Sequence, residues 1–264
     1  MAVPVDYENC PAFPQEPLPE MTSTRKLWTA LVALLIASFG VLLWVGYDIS
    51  LKDPPVPERV VTESGETVYT RADIQRGRQV WQSMGGMQLG SIWGHGGYVA
   101  PDWSADWLHR EAVARLDAWG QAEHGAGYDE LTEEQLSGLQ RRLQTEMRRN
   151  TYDEATGTIT ISDERAEAID TVADHYVSLF GNDPATAELR ENYAMKNDTV
   201  PDEANRESMT AFFWWTAWAA AAERPDQEIT YTNNWPSEPL VGNRPPATTF
   251  IWSAFSVTFL LAGI

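Results

Sequence analysis

From Leu27 to Val45 the chain runs for about nineteen residues without a charge. At about 1.5 Å per residue, a helix of that length covers about 29 Å, the depth of a bilayer core. Trp28 at one end, and Trp44 and Tyr47 at the other, take the places of interfacial aromatics. Arg25 and Lys26 precede the run, whereas Asp48, Asp53 and Glu58 follow it. That asymmetry predicts a cytoplasmic N-terminus and an outer side from about residue 50 onward, which in a bacterium is the periplasm. A cleaved signal peptide has a shorter apolar stretch and a small-residue cleavage site. The residues after Trp44 offer none, so an uncleaved anchor is expected.

Beyond a Pro-rich linker at Asp53–Pro57, apolar residues recur at helical spacing. Thr70 with Asp73 forms a capping box for a helix running to Ser83. Ser104 is expected to cap a second helix, with Leu108, Ala112, Leu116 and Trp119 on one face and Gly120 at its end. Thr132 with Gln135 opens a third, carrying Leu136, Leu139, Leu143 and Met147. Asp153, Thr156 and Gly157, followed by alternating Ile159 and Ile161, predict a small hairpin over residues 152–161. Ser162 caps a helix with Ile169, Val172, Tyr176 and Phe180 inward and Gly181 closing it. Asp183-Pro184 starts a short one. Met209–Ala222 is apolar but, at fourteen residues, too short to span a bilayer. It is expected to lie against the membrane surface or within the helical bundle.

After the turn-rich stretch 231–246, fifteen uncharged residues from Phe250 to Ile264 read as the start of a second membrane helix, as in the front part of a larger membrane protein. The expected fold is mainly α. A Pro-rich acidic tail (1–24), read as disordered and cytoplasmic, leads into a transmembrane anchor (25–49). An outer helical domain with a small β-hairpin follows (50–247), and then the start of a second transmembrane helix (248–264).

Composition narrows the chemistry. With 38 acidic against 19 basic residues the net charge is −19, which repels nucleic acid and disfavours a basic patch on anionic lipid. Twelve tryptophans, nine tyrosines and eight phenylalanines supply a large core. The single cysteine, Cys10, excludes an intrachain disulfide, a Cys-based zinc site and a CxxCH haem attachment. His109, His124 and His175 lack metal-ligand spacing. His95 sits between glycines as a turn residue, with ligation of a non-covalent haem opposite Met84 or Met87 as the weaker reading. Gly94, Gly96 and Gly97 lack the lysine of a phosphate loop and suit a tight turn with positive φ.

Three segments carry a resemblance. They are Arg76-Gly-Arg-Gln-Val-Trp81, the long run from Gly94-His-Gly-Gly-Tyr98 through Ala100-Pro-Asp-Trp-Ser-Ala-Asp-Trp107, and Tyr231-Thr-Asn-Asn-Trp-Pro236 just before an apolar helix. Together they resemble the N-terminal region of the quinol-dependent, single-chain bacterial nitric oxide reductases, a branch of the haem–copper oxidase superfamily. The resemblance spans about residues 27–264 and implies a periplasmic cytochrome-c-like domain. In the two-subunit relatives a CxxCH follows the first helix. Here residues 82–91 read Gln-Ser-Met-Gly-Gly-Met-Gln-Leu-Gly-Ser, so haem c is excluded.

What the family does becomes an expectation for the intact protein: two NO, two electrons from quinol and two protons give N₂O and water at haem b and non-haem iron, with a calcium ion between the haems. The haem and iron ligands would lie on later membrane helices, so this stretch alone is not catalytic. Its partners would be the remainder of the catalytic transmembrane bundle, membrane quinol, the substrate nitric oxide and the lipid bilayer. Carried over by position, the Gly96 carbonyl and Tyr98 would be calcium ligands. A second reading stays open, a free-standing, membrane-anchored periplasmic ligand-binding or sensor module with a pocket formed by the Gly94–Gly97 turn, Tyr98 and nearby tryptophans.

Overall fold

The computed structural model describes residues 24–263, so all but the last residue of the stretch read as a disordered tail lies outside the described residues. The chain divides into two units, one ending at Leu51 and the other beginning at Lys52. In the first, α1 (Thr24–Ser50) buries none of its residues, and its best window has a mean hydropathy of 2.3. It is long and apolar enough to cross a membrane, and it extends the uncharged run by about a turn at its C-terminal end.

The second unit is mostly helical. Its strands β1 (Arg59–Thr62) and β2 (Thr67–Thr70) lead directly into α2 (Arg71–Ser83). Two short strands, β3 (Ser91–Ile92) and β4 (His95–Gly96), precede α3 (Trp103–His124) and α4 (Glu133–Arg148). The hairpin β5 (Tyr152–Asp153) and β6 (Thr158–Ile161) follows, then α5 (Asp163–Phe180), α6 (Ala187–Asn192), α7 (Glu203–Ala221) and α8 (Ala247–Ala262). The expected hairpin is present but belongs to a four-stranded sheet in the order β2-β1-β6-β5, with β1 parallel to β6. The Arg59-Val-Val-Thr and Thr67-Val-Tyr-Thr runs carry the β-branched signal of β1 and β2, between the expected linker and the expected helix, where no element is predicted.

Helix ends follow their caps. The Thr70–Asp73 box, the Thr132–Gln135 box and the Ser162 cap form as expected. α3 differs at both ends. Asp102, not Ser104, caps it, because the Asp102 carboxylate accepts the Ala105 N–H at 3.0 Å while the Ser104 hydroxyl donates back to Asp102. The helix passes through Gly120 and ends at Gly125, whose φ of 67° is the left-handed C-terminal conformation. Glycine is needed at position 120 because the next loop folds back on the helix: a Cβ there would lie 2.6 Å from the Ala126 carbonyl oxygen.

α7 begins six residues before the apolar run, capped by Asp202, and is buried at every position from Met209 to Ala221. A helix that is apolar all round belongs in a core. Of the two places expected for it, the bundle interior holds, with α2, α3 and α5 packed around it. Its crossing with α2 is set by Gly77, where a Cβ would lie only 2.0 Å from the Ser208 carbonyl oxygen. Between α3 and α5, fully buried Glu111 pairs with Arg165 at 2.6 Å and also accepts the Trp107 indole N–H at 3.0 Å. α8, in contrast, buries none of its residues.

Candidate functional site

The motif-bearing residues 84–102 form one ordered loop between α2 and α3. Its first part packs on indole rings. A Cβ on Gly86 would lie 3.8 Å from the Trp81 ring, and the Trp103 Nε1 donates to the Leu89 carbonyl at 2.8 Å. At Gly90, with φ of 82°, a Cβ would stand 2.5 Å from both Trp103 Nε1 and the Pro101 carbonyl oxygen. Protein atoms thus pack directly against the glycines of this segment.

The second part is held by Asp102. One carboxylate oxygen accepts the Ser91 hydroxyl at 2.7 Å and the Gly94 N–H at 2.6 Å. The other accepts the Ser104 hydroxyl and the Ala105 N–H. Ser104 in turn accepts the Trp93 N–H at 2.9 Å. Trp93 takes a positive φ of 53°, donates its indole N–H to the Thr216 carbonyl and packs on Trp215 with centroids 5.6 Å apart. A single carboxylate therefore fixes the turn, caps α3 and, through Ser104 and Trp93, ties both to α7.

Two of the three segments that carry the resemblance meet in space. A Cβ on Gly94 would lie 2.5 Å from Trp235 Nε1, so the Trp235-Pro236 stretch closes over the glycine turn. The strap that carries Trp235 is bound to the body by Arg148, which reaches Glu223 at 2.8 Å and Asn243 at 3.1 Å. Asn243 donates to the Ala220 carbonyl, and His109 pairs with Glu238 at 3.0 Å.

Over this framework three apolar side chains are exposed, alongside the polar Gln88 and His95. Met87, Val99 and Tyr98 point to solvent, Tyr98 with 94% of its surface exposed, and Trp235 is partly exposed beside them. Adjacent exposed apolar residues on a rigid loop make a contact surface. His95 places its Nδ1 3.1 Å from the Trp93 carbonyl, a turn contact, while Met84 packs on the core and Met87 faces outward.

Gly96 and Tyr98 lie two residues apart on this loop. Gly96 has φ of 148°, and a Cβ there would meet the Gly90 carbonyl oxygen at 2.3 Å. Both oxygens of Asp102, the carboxylate on this loop, are already hydrogen-bonded. Among the described residues no group of three or more His, Cys, Asp or Glu side chains is placed to hold a metal ion. Calcium takes six to eight oxygens, so an ion held by the Gly96 carbonyl and Tyr98 needs most of its ligands from another source.

Asp102 carries the most contacts in the site, although in the sequence it stands out only as one letter of a motif. Its signal was present: an Asp before an apolar helical run is a strong N-cap. Away from the loop, an apolar groove of about 390 Å³ between α3 and α5 is lined by His109, Arg110, Val113, Asp117, Val172 and His175. Burial, reinforced by the Arg110 charge, holds the His175 imidazole below its ordinary pKa.

The fold is a helical domain in which α2 and α7 cross in contact at Gly77. Residues 57–237 match the family of NorB cytochrome c-like domains of nitric oxide reductase, and the chain belongs to that family. Comparison with curated proteins gives no match.

Proposed function

We propose that this chain is the N-terminal portion of a quinol-oxidising, single-chain nitric oxide reductase, and that its domain caps the periplasmic face of the catalytic bundle. The observation that carries the quinol assignment is the absence of cysteine from residues 82–91, which leaves no thioether haem to receive electrons from a soluble cytochrome. Electrons then enter from quinol in the membrane, α1 anchors the chain with its N-terminus in the cytoplasm, and residues 50–247 stand in the periplasm. Haem b and non-haem iron, held by the remainder of the bundle, supply the redox chemistry that joins two NO molecules.

Within that assembly this chain's residues position and exclude. Asp102 and the glycine turn present Met87, Tyr98 and Val99 as a rigid apolar contact that keeps water from the underlying cofactor edge. The Gly96 carbonyl and the Tyr98 side chain are the oxygens this loop offers to a calcium ion completed by the bundle. The rigidity of the loop, fixed at Asp102 and closed by Trp235, supports this reading.

The test is immunocapture from native membranes with an antibody to the periplasmic domain, followed by measurement of polypeptide mass and haem spectrum. A polypeptide well above 29.6 kDa carrying b-type and no c-type haem is expected. A haem-free polypeptide of 29.6 kDa overturns the reading and favours the anchored binding module. A c-type haem overturns the quinol assignment alone.

A further inference from the structure

At the centre of the domain, Trp107 and Tyr176 stack with centroids 5.2 Å apart and planes 8° from parallel. Trp103 meets Tyr176 edge-on at 6.1 Å and meets Tyr193 edge-on at 6.1 Å. Trp103, Trp107 and Tyr176 are fully buried, and Tyr193 reaches partly into solvent. The four rings thus form a continuous path from the core to the surface.

Hydrogen-bond partners separate this cluster from ordinary packing. The Tyr176 hydroxyl donates to Asp106 Oδ2 at 2.6 Å, and Arg110 Nε donates to the same oxygen at 2.8 Å. The stacked partner, Trp107, donates its indole N–H to the Glu111 carboxylate. A neutral carbonyl would satisfy a buried phenol, whereas a carboxylate there must be desolvated and held by a cation. What a carboxylate adds is basicity. Losing one electron turns a phenol from a weak acid into a strong one, and Asp106 is in place to take the proton. Burial and the neighbouring Asp106 charge raise the Tyr176 pKa, which keeps the resting phenol protonated.

We propose that Tyr176 is a redox-active tyrosine, reached from the surface through Tyr193 and Trp103, with Asp106 as the acceptor of its proton. The oxidant is a small one-electron acceptor such as nitrogen dioxide, which forms when NO meets oxygen. It takes one electron at Tyr193 and leaves as nitrite. The hole moves through Trp103 to Tyr176, the phenolic proton passes to Asp106, and a neutral tyrosyl radical remains. A hydroquinone at the surface returns the electron, becoming a semiquinone and releasing a proton, and Asp106 gives its own proton back to Tyr176. The domain thereby acts as a sink for single oxidising equivalents, whether or not the chain belongs to a quinol-dependent enzyme.

The test is flash oxidation of the full chain in detergent by photogenerated ruthenium tris-bipyridine, read by high-field EPR. The expected signal is a neutral tyrosyl radical with the g-shift of a hydrogen bond from a protonated carboxyl group. It is lost in Tyr176→Phe and in Asp106→Asn, which keeps an acceptor but cannot take the proton. If Tyr176→Phe fails to fold, fluorotyrosine at position 176 keeps both the ring and the hydrogen bond, and the spectrum must then gain fluorine splitting. An undiminished signal in folded Tyr176→Phe, or no fluorine splitting, overturns the proposal.

Discussion

At the scale of single residues, what a side chain meets in space decides what it does, and sequence spacing often hides that partner. Gly77 reads in the sequence as a letter between two arginines, yet its contact is Ser208, 131 positions away. Because a Cβ there would collide with backbone, Gly77→Ala is expected to destabilise the domain by about 2–3 kcal/mol or more. Gly138, exposed on α4 with nothing within 4 Å, is the control. Gly138→Ala is expected to stabilise by about 0.5–1 kcal/mol through helix propensity. Urea denaturation followed by tryptophan fluorescence separates the two, and equal effects would show that the α2–α7 crossing tolerates a methyl group.

His175 belongs to the same scale. Its Nε2 is buried without a hydrogen-bond partner, and its folded-state pKa lies below the ordinary value of 6.5. The unfolded chain therefore binds the proton more tightly. Stability from this group is complete above 6.5 and is lost as pH falls through that value toward the lowered folded one. His175→Gln removes the titration, so wild type should lose more stability than the variant on acidification across this window. Parallel pH profiles would show that the imidazole is solvated in the folded state.

Elements were more legible than residues wherever a local signal sufficed. The capping boxes at Thr70 and Thr132, the Ser162 cap and the apolar faces of α4 and α5 are contained within a few residues each, and all form as expected. The parallel pairing of β1 with β6 joins residues about 100 positions apart, and no local pattern announces it. The end of α3 falls later than expected because Gly120 carries the signature of a C-cap, while its real constraint is the loop packed against it.

Between α3 and α5, Glu111 and Arg165 do not stand out in the sequence, since charges at helical spacing usually face solvent. Arg165→Met leaves the Glu111 charge buried and unpaired, and should cost about 3–5 kcal/mol. Adding Glu111→Gln removes that charge while keeping an acceptor for Trp107. Most of the loss should then return, a coupling that a double-mutant cycle measures directly. Additive effects would mean that water reaches the pair.

For the whole molecule, the division between core and membrane-type surface follows from where the apolar residues end up. α7 and α8 look alike in the sequence as short apolar stretches, yet α7 is buried from Met209 to Ala221 and α8 buries nothing. Composition alone does not distinguish them. What does is the polar first turn and cap of α7, with Asp202, Glu203, Asn205 and Arg206, which root it in a water-soluble domain. The family match at 57–237 falls inside the same boundaries. The core, the sheet and the Asp102 loop all lie between Lys52 and Pro246, and the strap from Glu223 to Asn243 closes the domain through Arg148 and Asn243. A chain of residues 52–246 is therefore expected to be soluble, with helical circular dichroism and the near-ultraviolet signal of a fixed tryptophan core. A chain of residues 52–264 is expected to require detergent, because the exposed apolar face of α8 has no partner within the domain. Sedimentation of both without detergent checks this. If residues 52–246 aggregate while 52–264 stay monodisperse, α8 packs on the domain and is part of its core rather than a membrane-seeking element.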